Sequence, residues 1–336
     1  MNRLLGKTLA ELQTIAQEVG MPRFAGKQLA EWIYIRRATS FDEMTNLSLK
    51  GREALKERYT IGRHAPIAEA ISKDGTKKYL FQIGEQFVES VYLPEDDRAT
   101  LCVSTQAGCK MGCKFCMTGT LGFHGHLAAA DILNQIFSIP DADTLTNIVY
   151  MGEGEPMDNL DNVLRSLEAM TSPWGCAWSP KRITISSVGI NKGLKRFIEE
   201  SECHLAISLH NPFAVERQEI MPIEKVNHLS DVLALLKQYD WSHQRRVSFE
   251  YICWGGVNDT AKHANELVRI LKGLDCRINL IRFHAGVDQS FPNSNEKQME
   301  WMRDYLTTKG ITTTIRRSRG EDILAACGML VNALKS

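Results

Sequence analysis

Apolar residues recur at helical spacing near the start of the chain. Leu9, Leu12, Ile15, Ala16 and Val19 form one stripe, and Leu29, Ala30, Ile33 and Tyr34 form a second. These stripes predict helical segments over residues 8–60, with Gly20 and Pro22 marking a break between them. From Lys78 the period shortens: Tyr79-Leu80-Phe81-Gln82-Ile83 and Phe87-Val88-Glu89-Ser90-Val91-Tyr92-Leu93 flank a Gly84-Glu85-Gln86 turn and predict a β-hairpin. Beyond it, strand-like runs at 101–105, 146–151, 182–187, 203–209, 246–253 and 277–283 alternate with helical stretches at 128–138, 159–171, 191–199, 229–239, 260–273 and 295–308. Six βα units in series, with a further strand at 311–316 and a last helix, predict a parallel sheet covered by helices. The tract is too short for eight full units with long loops. The expected fold is therefore α/β, a partial (βα)6 barrel open on one side, with a small N-terminal helical domain and a short β-hairpin extension. The corresponding domains are 1–62, 63–98 and 99–336.

In such a barrel chemistry gathers at the carboxyl ends of the strands. Small, polar and sulfur-bearing residues lie there: Cys109-Lys110-Met111-Gly112-Cys113-Lys114-Phe115-Cys116, Gly152-Glu153-Gly154-Glu155-Pro156, Ser186-Ser187-Val188-Gly189, Ser208-Leu209-His210, Gly255-Gly256-Val257-Asn258-Asp259 and Phe283-His284.

Composition narrows the setting. Hydrophobic residues make up 43% and charged residues 24% of 336, the balance of a globular chain. No apolar run is long enough for a membrane span or for the core of a signal peptide, so a cytoplasmic protein without a membrane partner is expected. Nine cysteines in a reducing compartment point to metal or catalysis rather than a disulfide framework. The forty basic and forty acidic side chains cancel, and a nucleic-acid partner must be argued from local charge. Up to Arg58 ten Lys or Arg stand against seven Asp or Glu, and Arg316-Arg317-Ser318-Arg319 forms a basic run. Both are candidates for phosphate contacts, which position RNA but do not specify it.

Cys109, Cys113 and Cys116 have the spacing C-x3-C-x2-C, which brings three thiolates around one point. Three is one short of a closed structural zinc site and of a four-cysteine 4Fe-4S cluster, so one coordination position stays open. A zinc knuckle closed by His124 or His126 is the alternative.

With an aromatic residue before the last cysteine and a Gly-Glu-Pro loop after the second strand, this pattern resembles the radical S-adenosylmethionine superfamily. That resemblance implies a 4Fe-4S cluster on Cys109, Cys113 and Cys116, whose open iron binds S-adenosylmethionine. Reductive cleavage then yields a hydrogen-abstracting 5'-deoxyadenosyl radical. A closer resemblance covers nearly the whole chain. Residues 21–58, Leu101-Cys102-Val103-Ser104-Thr105-Gln106-Ala107-Gly108-Cys109, Met221-Pro222, Gly256-Val257-Asn258-Asp259 and Arg319-Gly320-Glu321-Asp322-Ile323-Leu324-Ala325-Ala326-Cys327-Gly328 resemble the RlmN and Cfr ribosomal RNA adenine methyltransferases.

The family's chemistry needs a relay, because adenine C2 has no nucleophilic lone pair. By resemblance, Cys327 takes a methyl group by displacement from one S-adenosylmethionine, and a second molecule supplies the radical that removes hydrogen from it. The carbon radical adds to the base as a thioether adduct. Cys102 then forms a disulfide with Cys327 as the product leaves, and Glu89 falls on a carboxylate that accepts the C2 proton. Gly154 and Glu155 are expected to receive the cofactor's amino group. Ser186, or Ser187 after a one-residue slip, joins Ser208, Leu209, His210 and His284 in completing the cofactor site. The chain departs from the family at Glu153, where Met is usual, and at His284, where Asn is usual.

The implied partners are large-subunit ribosomal RNA, transfer RNA and a reduced donor such as flavodoxin or ferredoxin, acting on a monomer. Adenine C8 methylation, or a non-catalytic iron-sulfur or zinc RNA-binding protein, are the other readings. Without the family, Cys327 and Cys102 read as packing cysteines, one in a helix-like run and one in a strand. Cys176, Cys203, Cys253 and Cys276 match no family motif and read as packing thiols.

Overall fold

The computed structural model describes residues 2–242, 246–284 and 291–330. The N-terminal stripes form α1 (Leu9–Glu18), α2 (Ala25–Ala30), which runs on into a π-helical turn at Glu31–Ile35, and α3 (Leu49–Arg58). A capping box starts α1: Thr8 Oγ1 accepts from Glu11 N–H, and the Glu11 carboxylate accepts from Thr8 N–H. The buried faces of these helices share one apolar core with the barrel.

Ten strands make the main sheet: β1 (Ala68–Ile71), β2 (Lys77–Ile83), β3 (Gln86–Glu95), β4 (Arg98–Cys102), β5 (Asn147–Tyr150), β6 (Ile183–Ser187), β7 (His204–Ser208), β8 (Val247–Cys253), β9 (Cys276–Arg282) and β10 (Thr312–Ile315). They lie in chain order. β1 to β4 pair antiparallel and β4 to β10 pair parallel, so the expected hairpin is not an appendage but continues the barrel sheet outward from its first parallel strand. The outer helices include α4 (Ala129–Phe137), α5 (Leu160–Thr171), α6 (Asn191–Glu200), α7 (Ala214–Ile220), α8 (Leu229–Leu236), α9 (Ala261–Leu271) and α10 (Glu296–Thr308). The βα alternation and the open partial barrel are borne out. Among the described residues no helix is long and apolar enough to cross a membrane.

Two expectations need correction. The first parallel strand ends at Cys102 rather than residue 105. Ser104 N–H is taken by Gln135 Oε1 and Thr105 N–H by the Glu153 carbonyl, which turn the chain out of the sheet. The run around Cys327 is not helical. A 3-10 turn at Glu321–Ile323 is closed by Leu324 in the left-handed region, φ +53°, and the chain continues irregularly to residue 330.

Candidate active site

Two cavities at the carboxyl ends of the parallel strands share a wall. The first is lined by Cys109, Cys113 and Cys116, by Gly154 and Glu155 after β5, by Ser186 and Ser187 on β6, by Ser208 at the end of β7 and by His210 just beyond it. The second is lined by Cys102 at the end of β4, Val91 and Leu93 of β3, His284 and the Arg316–Arg319 run. Cys327 lines both, as do Arg316 and Gly328. The nucleophile expected from sequence is exposed where the two spaces meet.

The three-cysteine loop is anchored at its start. Gly108 has φ +69°, and a Cβ there would come 1.8 Å from the Gly122 carbonyl oxygen, which accepts the Cys109 N–H at 2.9 Å. Met111, Phe115 and Ile252 add an apolar lining. Burial pushes Cys109 up to about 12 and Cys113 well above the ordinary thiol range, and it raises Cys116. Cationic iron would offset that cost, since thiolates are the ligand form.

Among the described residues no three His, Cys, Asp or Glu side chains gather as ligands of a single metal ion. The three thiols line one cavity, and a set of three is the ligand number of a cluster that keeps one coordination position open. His124 bonds to the Leu121 carbonyl and His126 to Gln106, and neither lines the three-cysteine cavity.

Glu155 is held from all sides. Its Oε1 accepts from Ser187 Oγ at 2.6 Å and Met157 N–H at 3.0 Å, its Oε2 accepts from Val188 N–H at 2.9 Å, and burial pushes it up to about 7. Gly154 permits this loop: it has φ +97°, and a Cβ would meet Gln106 Cβ at 2.5 Å. His210 Nδ1 accepts the Ile252 N–H at 3.1 Å, and its ring stands edge-on to Phe115, with centroids 4.7 Å apart. Burial lowers His210 to about 3, so it is a neutral imidazole, with the proton assigned to Nε2 by that hydrogen bond.

Of the remaining expected residues, Leu209 is fully buried and lines neither cavity. His284 turns from the first cavity to the second, where its Nε2 is hydrogen-bonded with Ser318 Oγ and its Nδ1 lies 3.5 Å from Glu321. Glu89 is likewise buried and lines neither cavity; it is paired with Lys78 behind the wall of the second. Cys102 is close enough to Cys327 for the two to interact electrostatically, and burial pushes it up to about 12.

The basic run is not the three-residue phosphate patch the sequence suggested. Arg316 points inward to Glu250 Oε2 at 3.3 Å, and Arg319 donates to the carbonyls of Asp74 and Pro94, which leaves Arg317 as its exposed arginine. Sequence reading also passed over Arg217. It is fully buried against Glu224 and donates to the carbonyls of Val188, Ser208 and Leu209, bracing two strand-end loops. An Arg and a Glu seven apart around the Met221-Pro222 motif were the available signal.

Residues 2–61 match the family described as ribosomal RNA large subunit methyltransferase N-terminal domain, and residues 103–305 match the radical SAM superfamily. A Bacteroides thetaiotaomicron relative named "Probable dual-specificity RNA methyltransferase RlmN" is 58% identical, over 98% of this chain and 96% of its own. The "Dual-specificity RNA methyltransferase RlmN" of Nitratidesulfovibrio vulgaris is 40% identical over 98% and 95%. The crystal structure of a radical SAM methyltransferase from Sphaerobacter thermophilus superposes with a TM-score of 0.92 at 35% identity, covering 98% of this chain and 99% of that one. With relatives of this identity spanning both chains almost end to end, and the same fold in a solved methyltransferase, the chain belongs to the RlmN family of radical SAM RNA methyltransferases.

Proposed function

We propose that this protein methylates C2 of adenine in large-subunit ribosomal RNA and in transfer RNA, with Cys327 carrying the one-carbon unit between the two cavities. The observation that carries the reading is that Cys327 is a common wall: it faces the three-cysteine cavity on one side and the Cys102 cavity on the other. A single side chain then collects a methyl group in one space and delivers it in the other. The family relationship adds the substrate class.

A 4Fe-4S cluster held by Cys109, Cys113 and Cys116, together with S-adenosylmethionine used twice per turnover, supplies the methyl group and the hydrogen-abstracting radical. The protein's own groups do the rest. Glu155, with the Gly154 backbone beside it, receives the cofactor's ammonium, and Ser186, Ser208 and the neutral His210 complete that pocket. The Cys327 sulfur takes the methyl group as its proton is lost and S-adenosylhomocysteine leaves, and the carbon of that methyl, not the sulfur, later bonds the base. Cys102, on the RNA side of Cys327, attacks the Cys327 sulfur to form a disulfide, breaking the sulfur–carbon bond so that the carbon leaves with the base and takes up a proton as the product departs. Glu89 takes the C2 proton, and His284 is reassigned from the cofactor to the base-binding cavity.

Residues 1–62, with their local excess of basic side chains, make an RNA-binding domain beside the 63–98 hairpin and the 99–336 barrel. The target adenine is extruded from its stack to reach Cys327. A monomer in the cytoplasm, reduced by a flavodoxin or ferredoxin, completes the proposal. The test is an anaerobic reaction followed by mass spectrometry of RNA nucleosides and of the Cys327 peptide. Wild type should give 2-methyladenosine. Cys327→Ala should transfer no methyl to protein or RNA, whereas Cys102→Ala should methylate Cys327 and accumulate a covalent RNA adduct. 8-Methyladenosine in place of the 2-methyl isomer overturns the regiochemistry, and full turnover by Cys102→Ala overturns the disulfide role.

A further inference from the structure

The hairpin carries a charge pair that the fold itself does not require. Lys78 on β2 and Glu89 on β3 are both completely buried, with Nζ 3.0 Å from Oε1. Removing two charges from water costs several kcal/mol each, and well-packed apolar residues often stabilise a fold equally well. A buried pair kept here calls for another reason.

Its surroundings supply one. Across the hairpin Lys78 faces Val91, which puts Lys78, Val91 and, two residues from Val91, Glu89 on the same face of the sheet. That face is covered by Ala325 and Leu330 of the C-terminal segment, and Val91 also lines the cavity of Cys102 and Cys327. Lys78 Nζ has a second partner, the Leu324 carbonyl at 3.3 Å. Leu324 is the left-handed residue three positions before Cys327, so this bond holds the turn from which the nucleophile projects. Glu89 is gripped along its main chain too: its N–H donates to Glu153 Oε1 at 2.8 Å, and its carbonyl accepts from Ser104 Oγ at 2.6 Å.

We propose that Lys78 is a positioning residue for the methyl transfer, one buried ammonium that is ion-paired with the carboxylate taking the C2 proton and hydrogen-bonded to the main chain carrying Cys327. The idea rests on the roles given above to Glu89 and Cys327. Two parts of the reaction that lie on different elements, proton removal on β3 and the thioether on the C-terminal segment, are thereby fixed relative to one another. Only a proton moves at this step, from C2 to a Glu89 oxygen beside the ammonium, and no electron is exchanged with Lys78.

The experiment compares cluster-loaded wild type, Lys78→Met, Glu89→Gln and the double variant Lys78→Met/Glu89→Gln. Methylation of Cys327, accumulation of the RNA adduct, release of methyladenosine across pH, and the alkylation rate of Cys327 by iodoacetamide are measured separately. Lys78→Met should still methylate Cys327, accumulate adduct and release product about tenfold or more slowly, the scale of one charge-assisted hydrogen bond. Its Cys327 alkylation rate should also change, which a defect confined to the proton acceptor would not produce. If Lys78→Met fails to fold because Glu89 loses its ammonium, the double variant removes that charge, and it should then differ from Glu89→Gln in alkylation rate. Wild-type release and alkylation in Lys78→Met, or identical behaviour of the double variant and Glu89→Gln, overturns the proposal. Wild-type release by Glu89→Gln sinks the reading of Glu89 alone, because the alkylation rate still reports the hold on Cys327.

Discussion

Replacing Glu153 by Gln tests how the interior stores a fully buried carboxyl group. Glu153 is fully buried between Gly152 and Gly154, and its oxygens accept the Glu89 N–H at 2.8 Å and the Gly108 N–H at 3.4 Å. Burial, reinforced by the nearby Glu89 charge, pushes it up to about 8 from an ordinary 4.5. Between those two values the folded protein holds a proton that the unfolded chain has released. Stability therefore falls by about 1.4 kcal/mol for each unit of rising pH in that window, and the Glu153 contribution is whole only below the unfolded value. Gln does not titrate. Its oxygen replaces one acceptor and its amide nitrogen cannot replace the other, a pH-independent cost of about 1–3 kcal/mol.

From pH 5.5 to 7.5 the stability difference between Glu153→Gln and wild type should accordingly move by roughly 2–3 kcal/mol in favour of Gln. Urea unfolding of both proteins, metal-free and reduced, across that range measures it. All other titrating groups are common to the pair and cancel in the difference. A difference that stays constant with pH, or moves toward wild type, would refute the reasoning, because either result means that Glu153 is ionised inside the fold.

Cys113→Ala should abolish iron uptake and the brown colour on anaerobic reconstitution, where wild type binds about four irons per chain; retained cluster absorption would defeat the assignment of the thiols. Arg317→Gln should lower RNA affinity and reduce the dependence of log affinity on log salt by about one, as expected for one lost phosphate contact. Arg316→Gln should instead impair Cys327 methylation, because it strips the buried Glu250 of a partner at the shared wall. An unchanged salt slope for Arg317→Gln removes that residue from the RNA interface.

The barrel was legible because its strands and helices bury regular faces, and the strand-end loops were legible because their glycines and cysteines have few other uses. The C-terminal segment was not. Apart from a few short turns, it is tied to distant residues: Gly328 accepts from Met117 N–H, Leu324 accepts from Lys78 Nζ, and Arg319 donates to Pro94. A segment held by others leaves no periodicity of its own, and Ile323, Leu324 and Ala326 mimicked a helix. Lys78 was missed because a strand lysine ordinarily faces solvent. Counting back from the two-residue turn that pairs Ile83 with Gln86 does place Lys78 and Glu89 on one face, but nothing local says which face is covered. At His284 the sequence carried the family's position without its direction, since the ring turns toward Ser318 only because the C-terminal segment passes there.

The bonds from Met117 N–H to the Gly328 carbonyl, at 2.7 Å, and from Thr118 Oγ1 to the Leu330 carbonyl, at 2.9 Å, stitch the turn following Cys116 to the residues following Cys327. The three-cysteine loop and the segment bearing Cys327 are thus one mechanical unit, far apart in the chain yet fastened side by side, so that a change which unfastens the first shifts the second with it.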